Sequence, residues 1–108
     1  MGSGTDPARL NERDSRIVDV IRALMPGEVV TYGDIAEVAG VHGRARLVGH
    51  LLASLDADLP WWRVVNAAGR LVPGSEREQA ELLRAEGVRV LDGRVRRAPM
   101  GRFSRPSS

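Results

Sequence analysis

Apolar residues recur at helical spacing near the start of the chain. In "NERDSRIVDVIRALM" (residues 11–25), Ile17, Val20, Ile21 and Leu24 form one stripe, and Asp and Arg fill the opposite face. This is the pattern of an amphipathic helix with one buried side. Pro26-Gly27 stops it, and "EVVT" reads as a short extended link. A second helix is expected from Thr31, because "TYGD" has the capping-box form with Thr31 as N-cap and Asp34 three positions on. Ile35, Val38 and Ala39 make its apolar face. "GVHG" breaks the chain, and a third helix follows in "RARLVGHLLASL", with Ala45, Val48, Leu51, Leu52 and Leu55 inward. Two short helices joined by a Gly-containing turn form a helix-turn-helix pattern.

The second half changes period. "DADLP" is a polar loop, and "WRVVNAAGRLV" reads as a β-hairpin turning at Ala67-Ala68-Gly69. "SEREQAELLRAEG" is a capped helix, with Ser75 as N-cap, Glu78 completing the box and Gly87 ending it. "VRVLDGRVR" is a small hairpin through Asp92-Gly93. The order predicts an α+β, mainly helical, winged-helix-like DNA-binding domain with a helix-turn-helix and small β-hairpins. It is expected to occupy residues 8–103, with disordered ends at 1–7 and 104–108. The opening Met1–Gly4 is set apart from the fold.

Composition narrows the chemistry. None of the 108 residues is cysteine, so this sequence offers no disulfide, thiolate metal site or thiol nucleophile. No apolar run approaches the roughly 20 residues needed to cross a bilayer, and no signal peptide is recognisable. A cytoplasmic location is expected, nucleoid-associated if the source is bacterial. The net charge is only +2, yet all 16 basic residues are Arg. Genome composition is one explanation. Another is the planar fork of Arg, which pairs with phosphates and stacks on rings. From Arg89 to Arg105 six Arg face one acid, Asp92, which suits either an anionic partner or a solvated tail. His42 and His50 have no cluster of metal-ligand type around them. His50 and Ser54 at helical spacing lack an oriented third partner for nucleophilic catalysis.

"VVTYGDIAEVAGVHGRARLVGHLL", "PWWRVVNAAGRL" and "ELLRAEGV" together resemble the DNA-binding domain of O6-alkylguanine-DNA alkyltransferases, over about Ile17 to Gly87. In that family a "TYGDIA" segment leads into the helix-turn-helix, and Pro-Cys-His-Arg carries the alkyl-accepting thiol. Here the segment is Pro60-Trp61-Trp62-Arg63. Alkyl transfer by that route needs a thiolate activated by a base, and an indole supplies neither. The chain therefore resembles the alkyltransferase-like proteins, which bind alkylated guanine without repairing it. The family's separate N-terminal domain is expected to be missing.

The resemblance implies roles residue by residue. Tyr32 matches the tyrosine that pushes on the phosphate and rotates the nucleotide out. Arg46 matches the arginine that fills the gap in the base stack. Thr31, Arg44, Ala45, Gly49 and Arg63 are the further DNA-binding candidates; Ala45 and Gly49 match small residues that let the third helix approach the minor groove. Leu47 is bulkier than the family's common Ala. Trp61, Trp62, Tyr32 and Glu86 are expected to line a lesion pocket, with Glu86 matching a family Glu whose network has lost both the Cys and the His. Residues 55–59 lack the Asn that precedes the motif in true transferases. "LVPGSERE" lacks their Tyr-Ser-Gly-Gly cover, so a more open pocket is expected.

Blander alternatives stand beside these roles. Trp61 and Trp62 are also plausible as ordinary core residues. Arg63 fits phosphate binding or bracing through backbone contacts. The implied function is a non-enzymatic sensor that binds O6-alkylguanine in duplex DNA by minor-groove docking and base flipping. It shields the lesion and directs it to nucleotide excision repair proteins. No cofactor and no metal is expected, and the protein is expected to be a monomer. Two other functions compete. One is a general helix-turn-helix regulator without lesion preference. The other is an enzyme of another kind, such as a hydrolase using His50 or Glu86.

Overall fold

The computed structural model describes residues 10–55 and 58–104. The expected disordered ends, 1–7 and 104–108, lie outside the described residues except for Ser104, and residues 8–9 of the expected domain lie outside them too. The N–H and hydroxyl of Ser104 both donate to the Gly101 carbonyl, at 3.2 and 2.8 Å. The chain divides into two compact units, residues 1–23 with 32–61 and residues 24–31 with 62–108. Among the described residues, no helix is long and apolar enough to cross a membrane.

Among the described residues, the first unit holds three α-helices. α1 is Glu12–Arg22, α2 is Tyr32–Val38 and α3 is Ala45–Ser54. α1 starts where Asn11 accepts a bond from the Asp14 N–H at 2.7 Å, an N-cap that satisfies one orphan donor. It buries Ile17, Val18 and Ile21. Val20, expected inward, is only half-buried. Leu24 is buried, but beyond the helix, which stops before Pro26.

α2 begins immediately after Thr31, at the predicted boundary, and packs against both α3 and α1. Its inward residues are Ile35, Ala36 and Ala39. Val38 was expected among them and instead stands 74 % exposed. One turn either side of Ile35 already fills the inward face of so short a helix. The helix closes with Gly40 at φ 77°, and the Gly40 and Val41 N–H groups return to Glu37 and Ala36 carbonyls. This is a Schellman closure, which requires a left-handed residue. Arg16 Nε reaches the Ala39 carbonyl at 3.1 Å and ties α1 to that closure. α3 buries Val48 and Leu51, with Leu55 buried at its C-cap; Ala45 and Leu52 are half-buried.

The second unit departs from expectation in its strands. "EVVT" is not a link but β1, Glu28–Thr31, the central strand of a three-stranded sheet. β2, Val64–Val65, pairs with it in parallel through Val30–Val64 and Thr31–Val65. A strand unforeseen in the sequence, Met100–Gly101, lies parallel on the other side. Residues 64–71 therefore do not form the expected hairpin. The turn at 66–69 exists, with the Asn66 side chain accepting from the Ala68 and Arg70 N–H groups. The chain leaving it bridges Arg70 to Arg94 instead of completing a ladder with β2. Val64 and Val65 are both fully buried. Consecutive apolar residues mark a strand covered on both faces, as in parallel sheets.

α4 spans Glu76–Ala85. It ends as expected, with Gly87 at φ 85° and the Gly87 and Val88 N–H groups returning to Arg84 and Leu83. β3, Arg89–Leu91, and β4, Arg94–Arg97, form the predicted antiparallel hairpin around Asp92 and Gly93, both at positive φ. Numbered in chain order, Met100–Gly101 is β5. A buried cluster including Val29, Val65, Leu71, Leu83, Val90 and Val95 forms the core of this unit.

One expected cap fails. Ser75 occupies the N-cap of α4, but its side chain makes no capping bond. The polar fastening comes from Gln79, which is 0 % exposed. Its amide oxygen accepts from the Val72 N–H at 2.7 Å, and its amide nitrogen donates to the Trp62 and Val64 carbonyls at 3.1 and 3.2 Å. A buried donor or acceptor left without a partner costs about 1–3 kcal/mol. Gln79→Leu, which strands three backbone groups, is expected to lower unfolding free energy by at least about 2 kcal/mol in urea denaturation.

Candidate nucleic-acid interface

Gly27, Trp62, Arg63 and Glu86 meet in the second unit. Trp62 and Arg63 belong to a short 3-10 turn, Trp61–Arg63, which leads straight into β2. Glu86 sits at the C-cap of α4. There the helix dipole disfavours a negative charge, so donors must compensate. Arg63 supplies them through Nη2 at 2.7 Å and Nε at 3.0 and 3.2 Å. The Trp62 indole N–H donates at 2.9 Å and the Gly27 N–H at 2.8 Å. Arg63 Nη1 donates to the Leu24 carbonyl at 2.9 Å, and its guanidinium carbon lies 5.1 Å from the centroid of the Trp62 ring. The Arg63 and Glu86 side chains are only 11 % and 14 % exposed.

Burial by itself would raise the Glu86 pKa. The bonds from Arg63, Gly27 and Trp62, with the Arg63 charge, outweigh it and hold the carboxyl below its ordinary value of 4.5. The group stays ionised at neutral pH, as the three donors require.

The Arg63 donors are engaged by Glu86 and Leu24, contacts that brace the site. Glu86 was expected to match a family Glu whose network has lost the Cys and the His; here the Trp62 indole N–H is among its donors. The same ring packs against the buried cluster of the second unit, so Trp62 serves as both wedge and donor. Gly27 and Gln79 were missed in the sequence. "PG" read only as a helix stop, and Gln79 was lost among the charges of "SEREQAELL". Its position four before Leu83 was the available signal, since i and i+4 share a helix face.

In the first unit, Tyr32 opens α2, Arg44 is the N-cap of α3, and Ala45, Arg46 and Gly49 lie along α3. Burial raises the Tyr32 pKa, which keeps the hydroxyl protonated. Gly49 faces the Tyr32 ring: a Cβ there would meet ring carbons at 3.8 and 3.9 Å, an ordinary contact. Arg44 and Arg46 are exposed, Tyr32 and Trp61 half-buried and Thr31 buried. α3 carries no acid in its first turn and no side-chain cap, whereas α1 and α4 begin with Glu12 and Asp14 and with Glu76 and Glu78. Arginines at a helix N-terminus oppose the helix dipole. α3 is thus built against its own electrostatic preference at the end that carries Arg44 and Arg46.

Residues 12–88 match the 6-O-methylguanine DNA methyltransferase, DNA binding domain. The chain belongs to this family. Within the family it is similar to the "DNA base-flipping protein" of Vibrio parahaemolyticus, at 42 % identity over 69 % of this chain and 79 % of the relative. It is similar also to "Alkyltransferase-like protein 1" of Schizosaccharomyces pombe, at 32 % identity over 76 % and 82 %. The structure of S. pombe Atl1 in complex with damaged DNA containing O6-carboxymethylguanine aligns with a TM-score of 0.68 and 31 % identity, covering 77 % of this chain and 82 % of that one. The Mycobacterium tuberculosis OGT–DNA complex aligns with a TM-score of 0.62 and 30 % identity, covering 72 % of this chain but only 51 % of OGT. The family and these structural matches agree with the α+β fold expected for a DNA-binding domain.

For a mostly buried ion pair, removing one partner typically costs about 3–5 kcal/mol. Glu86→Ala is expected to lose stability of about that size in chemical denaturation. The pH dependence has a definite sign. A carboxyl whose folded pKa is lowered stabilises above its unfolded pKa and loses that contribution as pH falls through the folded value. Wild type should therefore weaken below 4.5, and Glu86→Gln should lack that part of the acid slope.

Proposed function

We propose that this protein is a non-enzymatic sensor of O6-alkylguanine in duplex DNA. The observation that carries the reading is that the position of the family's reactive thiol is Trp61, in a chain with no cysteine. Without a thiolate the alkyl group has no acceptor of the family's kind. What remains is recognition.

In this reading α3 docks in the minor groove. Arg44 meets backbone phosphate, Thr31 supports the contact, and the small residues Ala45 and Gly49 permit close approach. The inverted charge at the start of α3 supports this, since an anion there would satisfy both the arginines and the uncapped amides. Tyr32, protonated and backed by α3 at Gly49, presses on the phosphate and rotates the nucleotide outward. Arg46 enters the vacated stack, where its plane stacks and its N–H groups meet the orphaned base. Extrusion costs a few kcal/mol, less for a poorly paired lesion, and the inserted side chain offsets part of it.

Trp61 offers the alkylated base a flat apolar surface. Trp62 and Glu86 complete the pocket chiefly by holding the turn that carries Trp61, and Arg63 braces them. The domain over residues 8–103 acts as a cytoplasmic monomer without cofactor. It shields the lesion and presents it to nucleotide excision repair proteins.

Fluorescence anisotropy with short duplexes tests the reading. A duplex with one O6-methylguanine should bind at least about tenfold tighter than plain DNA, a difference of about 1.4 kcal/mol. Equal affinity would sink the proposal. Arg46→Ala should lose most of that preference, whereas a sequence-reading regulator would lose affinity on every site. Trp61→Cys should bind the lesion without dealkylating it, because no His stands beside the new thiol to activate it.

A further inference from the structure

The β3–β4 hairpin carries an arrangement that its own stability does not favour. Arg89 pairs directly with Arg97, Arg94 pairs with Leu91, and Arg70 bridges to Arg94. Directly paired residues share a face of a sheet. Val90 and Val95 point to the core, so Arg70, Arg89, Arg94 and Arg97 crowd the other face beside the exposed Leu91. Like charges directly opposite one another destabilise a sheet.

Nothing nearby neutralises them. Among the described residues none of the four makes an ion pair or a side-chain hydrogen bond, and Arg94 Nε is buried without a partner. The one acid of the hairpin, Asp92, lies 3.9 Å from Arg96. Glu86, the preceding carboxylate in the chain, is committed to Arg63, Trp62 and Gly27. Arg89 and Arg97 also flank a shallow cavity of about 320 Å³, completed by Gly87, Ala98, Pro99 and Ser104.

We propose that this arginine face is a second contact for duplex DNA, binding backbone phosphates with residues distinct from those of the helix-turn-helix. It rests on the reading that the chain binds duplex DNA. Two arginines lining one cavity suit an anionic group with two free oxygens, which a phosphodiester supplies. Arg89 and Arg97 are cross-strand partners, and Arg94 is in turn partnered by Arg70 on the next segment, with neighbouring strands about 4.8 Å apart, so the face presents a row of cations rather than a point. A regularly charged polymer satisfies such a row throughout. Arg rather than Lys at every position adds bidentate geometry.

The experiment is the salt dependence of affinity for a plain duplex and for one with a single O6-methylguanine, using the full chain. Each phosphate contact contributes about 0.9 to the slope of log affinity against log salt. Arg89→Thr with Arg97→Thr should lower that slope by about 2 on both duplexes. Between 50 and 200 mM salt the variant should then lose about tenfold less affinity than wild type. The ratio of lesion to plain affinity should not change. Relief of the cross-strand repulsion should leave the thermal midpoint unchanged or raised, which shows that the variant folds. Arg22→Gln with Arg77→Gln, removing equal charge elsewhere, should leave the slope as in wild type.

A slope unaltered by Arg89→Thr with Arg97→Thr overturns the proposal. So does an equal fall in slope for the control pair, which would make the effect one of net charge. Binding of a polyglutamate peptide that this double variant abolishes, with its DNA slope intact, would assign the face to an acidic protein and also overturn it. Loss of lesion preference in wild type is a separate result: it would refute the sensor and leave the slope test standing.

Discussion

The Glu86 carboxylate gathers donors from segments far apart in the chain. The Gly27 N–H comes from 59 positions upstream, and Trp62 and Arg63 from the turn before β2. Each donor is needed. The carboxylate lies at a helix C-cap, where the dipole repels it, and is mostly withdrawn from water, where an uncompensated charge is costly. In return it fixes the approach to β1 and the turn that enters β2, the two strands that pair in parallel. Trp61 is the residue immediately before Trp62 in that turn, so its backbone inherits the constraint. Glu86, expected in the sequence as a pocket residue, is a polar centre of the second unit.

That arrangement shows how the fold accommodates a bulky indole at Trp62. Trp62 carries a ring N–H that meets Glu86 and a flat body that meets the buried cluster. Trp61, the neighbouring residue of the same turn, is half-buried. Of the two adjacent indoles, Trp62 is thus the one that ties the turn to Glu86 and the core.

Elsewhere the chain spends stability on charge placement. α3 begins with arginines and no cap, and the hairpin sets Arg opposite Arg. Neither choice helps folding, since the helix dipole and cross-strand repulsion both oppose it. The acid-rich starts of α1 and α4 show that the same sequence obeys the dipole rule where no anion is expected. Consistency between local preference and fold is the norm in foldable sequences, and departures concentrate where function intervenes.

The sequence by itself determined the helices, their Gly-closed ends, the Asp92-Gly93 hairpin and the loss of the thiol. These depend on periodicity, on left-handed turn positions and on residue identity, all of which are local. It did not determine the parallel sheet, because "EVVT", Val64–Val65 and Met100–Gly101 find their partners only across long stretches of chain. Nor did it reveal Gln79 as a buried staple or Trp62 as a donor to Glu86. Those roles follow from which carbonyl, N–H or carboxylate the folded chain brings alongside, and only tertiary structure decides that.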